Sequence, residues 1–163
     1  MFKIKLLILL LFSLIFYSCS TSNQSNLNKF DLNYIGGKED GLQLKNLLTS
    51  YFKSMKMFDE NSDLKLSANI NHEQRLYITN SNNTSNREQV VSTIDVSIFD
   101  KQKNCKVYEK NNLVSQYYVF ASTIKFTSNN KAIDRIKYNN AEILVIDLAR
   151  ELINEPLDCL DEK

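Results

Sequence analysis

Two periods of apolar residues alternate along this chain. From Lys29 to Ile35 polar and apolar residues take turns, the two-residue period of a strand with one buried face, and the run ends at Gly36-Gly37. Leu44, Leu47, Leu48, Tyr51, Phe52 and Met55 then recur at spacings of three and four, one stripe of an amphipathic helix of about four turns, with Asp40 placed to cap its start. The Met and aromatic members of that stripe read as a core-facing surface. Leu64, Leu66, Ala68 and Ile70 return to period two, and Leu76-Tyr77-Ile78 can continue the same strand across the polar stretch Asn71 to Gln74. Asn80 to Asn86 reads as a polar connection.

The clearest pairing follows it. Val90, Ser92, Ile94, Val96 and Ile98 share one face of a strand, with Val91, Thr93, Asp95, Ser97 and Phe99 on the other. After a charged turn at Asp100 to Asn104, extended character resumes at Cys105 and Val107 and again from Leu113 to Phe120, which completes a hairpin. Ser128 opens a last helix whose stripe runs through Ile133, Ile136, Ala141, Leu144, Val145, Leu148 and Leu152, and Pro156 stops it. The order of strand, helix, about three strands and helix predicts an α+β fold. Its economical form is two helices packed on one face of a roughly four-stranded, mostly antiparallel sheet, an α/β sandwich in which the two apolar stripes share one core.

The N-terminus changes the picture from a domain to an exported one. Lys3 and Lys5 precede an apolar run from Leu6 to Tyr17, long enough for a signal peptide and too short to span a bilayer as a helix. Phe16-Tyr17-Ser18-Cys19 is a loose lipobox, with Phe16 where Leu is usual, so Cys19 is the expected lipidation site; an ordinary secretory peptide cut near Ser18, or an uncleaved anchor, is the alternative. Residues 1–18 are then the signal peptide and 19–28 the lipidated N-terminus and tether, polar from Ser22 to Asn26. Removing the first 18 residues takes away two of the 20 Lys+Arg and leaves 145 residues, with 18 basic side chains against 19 acidic. That is one domain's worth of chain with no global charge for nucleic acid. Cys105 and Cys159 remain as a possible disulfide in an oxidising compartment, or as two separate thiols.

Candidate chemistry is sparse. None of the three glycines falls in a phosphate-cradling pattern, and the single histidine, His72, stands in a polar stretch with no second His, Cys-x-x-Cys or Gly-x-Ser-x-Gly to accompany it. Asp31, Asp95 and Asp134 are far apart in sequence. The expectation is a protein that is not an enzyme and holds no metal or cofactor. Lys101, Lys103, Lys106 and Lys110 gather around the hairpin turn, and Arg75 and Arg87 bracket the polar connection. Such residues commonly guard sheet edges, and where several converge they can pair with phosphate.

The layout resembles the lipopolysaccharide-assembly lipoproteins of the LptE type. The likeness is carried by Cys19, by the strand and helix from Lys29 to Met57, by Arg87 to Ile98, and by Ser128 to Asp134 leading into Leu148 to Ile153. It implies a domain at 29–156 with a tail at 157–163, on the periplasmic side of the outer membrane. It also implies a plug in a β-barrel lipopolysaccharide-assembly protein of the LptD type, and binding of lipopolysaccharide rather than catalysis. Arg87 and Lys131 lie nearest the family's lipid-binding charges. A lipid-anchored surface or structural protein with no transport role is the other reading.

Overall fold

The computed structural model describes residues 27–77, 87–119 and 126–160. Cys19 with the leader and tether, and the connection expected from Asn80 to Asn86, lie outside them. Strand β1 (Asp31–Gly36) leads into helix α1 (Lys38–Ser54), and β2 (Leu64–Tyr77), β3 (Arg87–Asp100) and β4 (Cys105–Val119) follow before helix α2 (Phe126–Asn154). The strands form one sheet in the order β1-β2-β3-β4. β1 runs parallel to β2, as a strand joined through a crossover helix can, and the other two pairings are antiparallel. This is the α+β arrangement expected from the periodicities. α1 lies over β1 and β2, α2 lies over β3 and β4, and the helices pack on each other.

One core fills the space between helices and sheet. Leu44, Leu48 and Phe52 of α1 are fully buried against Leu66, Ile94 and Ile98 of the sheet and Leu144, Leu148 and Leu152 of α2. Each such side chain contributes roughly 1.5–3 kcal/mol by leaving water. A smaller cluster of Val90, Tyr118 and Ile133 closes the end where β3 begins and β4 finishes. The alternation read along β3 holds in the fold: Val90, Ser92, Ile94, Val96 and Ile98 all point into the helix side.

The elements differ from the expectation in ways that have local causes. Asp40 does not cap α1; the cap is Gly37, at φ 117, where a Cβ would come within 2.8 Å of the Ile70 carbonyl oxygen. That left-handed turn suits glycine. Asp40 instead sits in the first turn with Glu39, where a negative charge favours the helix dipole. At the other end Met57 donates its N–H to the Phe52 carbonyl (2.8 Å) and Lys56 donates to that of Lys53 (3.1 Å), a Schellman closure with Lys56 in the left-handed region at φ 60. Met57 and Phe52 are both buried, the apolar contact that accompanies such a closure. α2 begins two residues before Ser128. β2 does run unbroken through the polar stretch Asn71 to Gln74, so His72 stands in a regular strand.

The most consequential departure is in β1. Strict alternation would put Tyr34 beside Phe30 and Leu32 on the buried face. A β-bulge between Leu32 and Tyr34 slips the register by one: Leu32 pairs with Leu66, but Tyr34 pairs with Ser67 and Ile35 with Ala68. Ile35 thereby packs on the core, and Tyr34 is turned to the opposite face, 64% exposed.

The segment after α2 is not loose at its start. Leu160 donates its N–H to the Lys106 carbonyl (2.8 Å), Lys103 Nζ donates to the Leu157 carbonyl (3.0 Å), and Cys159 is disulfide-bonded to Cys105 at a Cα separation of 5.7 Å. The first residues of β4 are therefore tied to the segment that follows the last helix.

Candidate binding surfaces

The basic residues singled out in the sequence divide into two groups. Around the hairpin turn Lys106 pairs with Glu109 (2.9 Å), Lys110 pairs with Glu151 (2.9 Å), and Lys103 holds the Leu157 carbonyl, so these cations serve local structure rather than one convergent patch. Glu151 also accepts from Tyr108 Oη (2.9 Å) and Asn112 Nδ2 (3.4 Å), which pins α2 to β4. Burial pushes the Glu151 carboxyl up, but the bonds from Lys110, Tyr108 and Asn112 together hold it below the ordinary range. The second group lies at the other end of the sheet. Arg87 opens β3 opposite Val119 and Tyr77, and Arg75 is two positions away along β2, bound to Glu73 at 2.6 Å. Lys131 is exposed on α2, two residues before Ile133, whose side chain packs on Val90. The structure thus brings Arg87 and Lys131 to one end of the molecule. Alternation along β3 puts Arg87 on the face opposite Val90, so the two charges flank the sheet.

His72 takes part in a network that ties three elements. Ser92 Oγ lies 2.7 Å from His72 Nδ1 and accepts from Asn140 Nδ2 (2.9 Å), which also donates to the Val90 carbonyl (3.3 Å). Ser92 and the ring share one hydrogen bond, whose direction follows the tautomer of His72. Burial holds the His72 pKa below its ordinary value, with Asp40 raising it and Lys137 lowering it to smaller extents. Ser92 and Asn140 are fully buried, and no substrate reaches that hydroxyl. The cluster reads as a polar clamp between β2, β3 and α2. Among the described residues no group of three or more His, Cys, Asp or Glu is arranged for a metal ion.

The face of the sheet away from the helices carries the remaining surface. Two polar rows cross it in register: Tyr34, Ser67, Ser97 and Glu109, then Gly36, Asn69, Asp95 and Asn111. Apart from Tyr34 and Glu109 their side chains are short, which leaves a shallow trough of about 480 Å³ bordered by Tyr34. Beyond it, toward Arg87, Leu113, Tyr117 and Val119 of β4 are each more than half exposed. Sequence reading singled out neither Tyr34 nor Asn69 nor Asn111. The available signal was Ser67 with Asn69, Asp95 with Ser97, and Glu109 with Asn111, small polar residues at period two.

The architecture defines the chain's class: a mixed four-stranded sheet with both helices on one face, a fold found in bacterial lipoproteins. No protein-family model matches the chain, and no curated relative matches it. Among solved structures it is similar to a minor lipoprotein from Acinetobacter baumannii (15% identity, TM-score 0.60), over 83% of this chain and 98% of that one. It is similar also to the rare lipoprotein B from Shewanella oneidensis (8% identity, TM-score 0.56), over 77% of this chain and 90% of that one. A lipoprotein B from Nitrosomonas europaea (10% identity, TM-score 0.58) matches over 78% and 83% of the two chains. At these identities the likeness is one of fold. No helix among the described residues is long and apolar enough to cross a membrane.

Proposed function

We propose that this chain is an envelope lipoprotein, held by lipid on Cys19 at the outer membrane on its periplasmic side, that plugs a β-barrel partner and assists assembly of lipopolysaccharide by binding. The observation that carries the reading is the sheet face that neither helix covers among the described residues. Both helices pack on the other side, so Leu113, Tyr117 and Val119 stand exposed beside the strand that opens with Arg87. A row of large apolar side chains on a sheet calls for a covering partner. The lipobox and the LptE-type layout support the same reading, and so does the occurrence of this fold in bacterial lipoproteins. Arg87 and Lys131 are the charges proposed to engage lipid phosphate, the guanidinium by paired hydrogen bonds to two phosphate oxygens and the ammonium as a point charge.

Changing Arg87 and Lys131 together to Glu is expected to weaken binding of lipopolysaccharide by roughly tenfold or more while the barrel complex survives, since each charged hydrogen bond is worth about 1.5–3 kcal/mol. Binding to immobilised lipopolysaccharide, followed by surface plasmon resonance, checks this. An unchanged affinity would place the phosphate contacts elsewhere.

A further inference from the structure

The bulge in β1 aims Tyr34 at a surface with a distinct chemistry. The trough it borders is lined also by Ser67, Asn69, Asp95, Ser97, Glu109 and Asn111, all with short or planar polar side chains. Its charged groups are already paired, which favours a neutral ligand. The ammonium group of Lys110, whose residue also borders the trough, is held by Glu151 of α2, on the helix side. Of the carboxylates that line the trough, Glu109 is paired with Lys106 (2.9 Å) and Asp95 accepts from Asn111. Lys106 and Lys110 are both held in ion pairs, so the phosphate proposed for Arg87 and Lys131 meets no uncommitted ammonium group among the described residues that border the trough.

The geometry of the polar groups is ordered rather than scattered. Asn69, Asp95 and Asn111 are in register across three strands, and Asn111 Nδ2 donates to Asp95 Oδ1 at 2.5 Å. A carboxylate has further acceptor positions, and an amide has both a donor and an acceptor, so the row can take and give hydrogen bonds to neighbouring hydroxyls. Gly36 keeps the aromatic close to this row. A Cβ there would stand 2.6 Å from Asn69 Oδ1 and 3.0 Å from the Tyr34 hydroxyl, so its absence lets the ring and the amide approach. An exposed tyrosine ring next to planar polar groups offers an apolar platform beside hydroxyl-binding groups.

We propose that the trough bordered by Tyr34 binds an uncharged saccharide, the Tyr34 ring stacking on the hydrocarbon face of one sugar ring while Asn69, Asp95 and Asn111 hydrogen-bond to its hydroxyls. This rests on the proposed function for the source of the sugar, which is the glycan portion of the glycolipid; the phosphates and acyl chains belong elsewhere. The sheet face then reads a glycolipid in two parts, sugar in the trough and phosphate toward Arg87.

The test uses the full-length lipidated protein in detergent and two probes: a neutral core oligosaccharide, freed of lipid, phosphate and acidic sugars, and intact lipopolysaccharide. Calorimetry is expected to show saturable binding of the oligosaccharide, weakened about tenfold by Tyr34→Ala and by Asp95→Ala, whose losses are a stacking contact and a charge-assisted hydrogen bond. The Arg87→Glu/Lys131→Glu protein should bind the oligosaccharide as the unaltered protein does. Intact lipopolysaccharide bound with no measurable oligosaccharide binding, or oligosaccharide binding indifferent to both trough substitutions, overturns the saccharide site and leaves the proposed function standing. Oligosaccharide bound through Tyr34 and Asp95 without binding of lipopolysaccharide upholds the site and removes the proposed cargo. Binding of neither probe overturns both.

Discussion

Phe52→Ala is expected to lower the stability of the folded domain by about 3–5 kcal/mol, the range for deleting a fully buried aromatic ring. Phe52 has no exposed surface, and its ring centroid is 5.8 Å from that of Phe30. It also occupies the position in α1 whose carbonyl closes the helix through Met57, and its side chain shares the core with that residue. Removing the ring therefore opens a cavity where β1, the end of α1 and the returning chain meet. Phe30 donates its N–H to the Met57 carbonyl (2.8 Å) and accepts from Asp59 (3.1 Å), so the returning segment loses its packing support together with the helix end. Urea unfolding followed by circular dichroism measures the loss. An unfolding midpoint close to that of the unaltered protein would mean that this side of the core relaxes around the vacancy, contrary to its close packing.

Cys159→Ser is the second large effect, expected to cost about 2–4 kcal/mol under oxidising conditions. The bridge joins positions 54 residues apart, and opening it releases a long loop in the unfolded chain. In the folded state the bond holds the segment after α2 against the start of β4, where Leu160 and Lys106 share a backbone hydrogen bond. The variant should show faster amide exchange at Leu160 as well as a lower unfolding midpoint. Reductant should move the unaltered protein to the same midpoint and leave the variant where it is. A midpoint insensitive to both substitution and reductant would show that the two cysteines do not constrain the chain.

The periodic elements were legible because their signal is local. The stripe of Leu44, Leu48 and Phe52 and the alternation of Ile94, Val96 and Ile98 repeat at the spacing of the structure they form, and each left an apolar face in need of the same core. The bulge in β1 left no such mark. Asn33 and Tyr34 fit an unbroken strand as well as a bulged one, and only pairing with Ser67, across the crossover, decides which face Tyr34 takes. The closure of α1 was hidden for a different reason: Lys56 adopts a conformation that glycine usually signals. The clamp of His72, Ser92 and Asn140 joins residues brought together by three elements, and no spacing along the chain announces it. Only the family resemblance points to Arg87 and Lys131, and in the fold they share one end of the sheet while facing different sides.

These observations give the proposed function a physical division of labour. The helices and their side of the sheet build the domain, with Asn140 and Ser92 satisfying polar groups inside it. The opposite face, on which neither helix packs, offers a trough of small polar side chains and, farther along, exposed apolar residues next to Arg87. A lipid on Cys19 would restrict that face to the membrane where its partner resides, and the contact surface would select the partner.

The most direct measurement of this account is affinity capture of the tagged, lipidated chain from detergent-solubilised outer membrane, with the captured proteins identified by mass spectrometry. The account predicts a stoichiometric β-barrel lipopolysaccharide-assembly protein of the LptD type that protects the Leu113 to Val119 segment from proteolysis in the complex. A chain recovered consistently without a barrel, with that segment cleaved as readily in the membrane as in detergent, would contradict it.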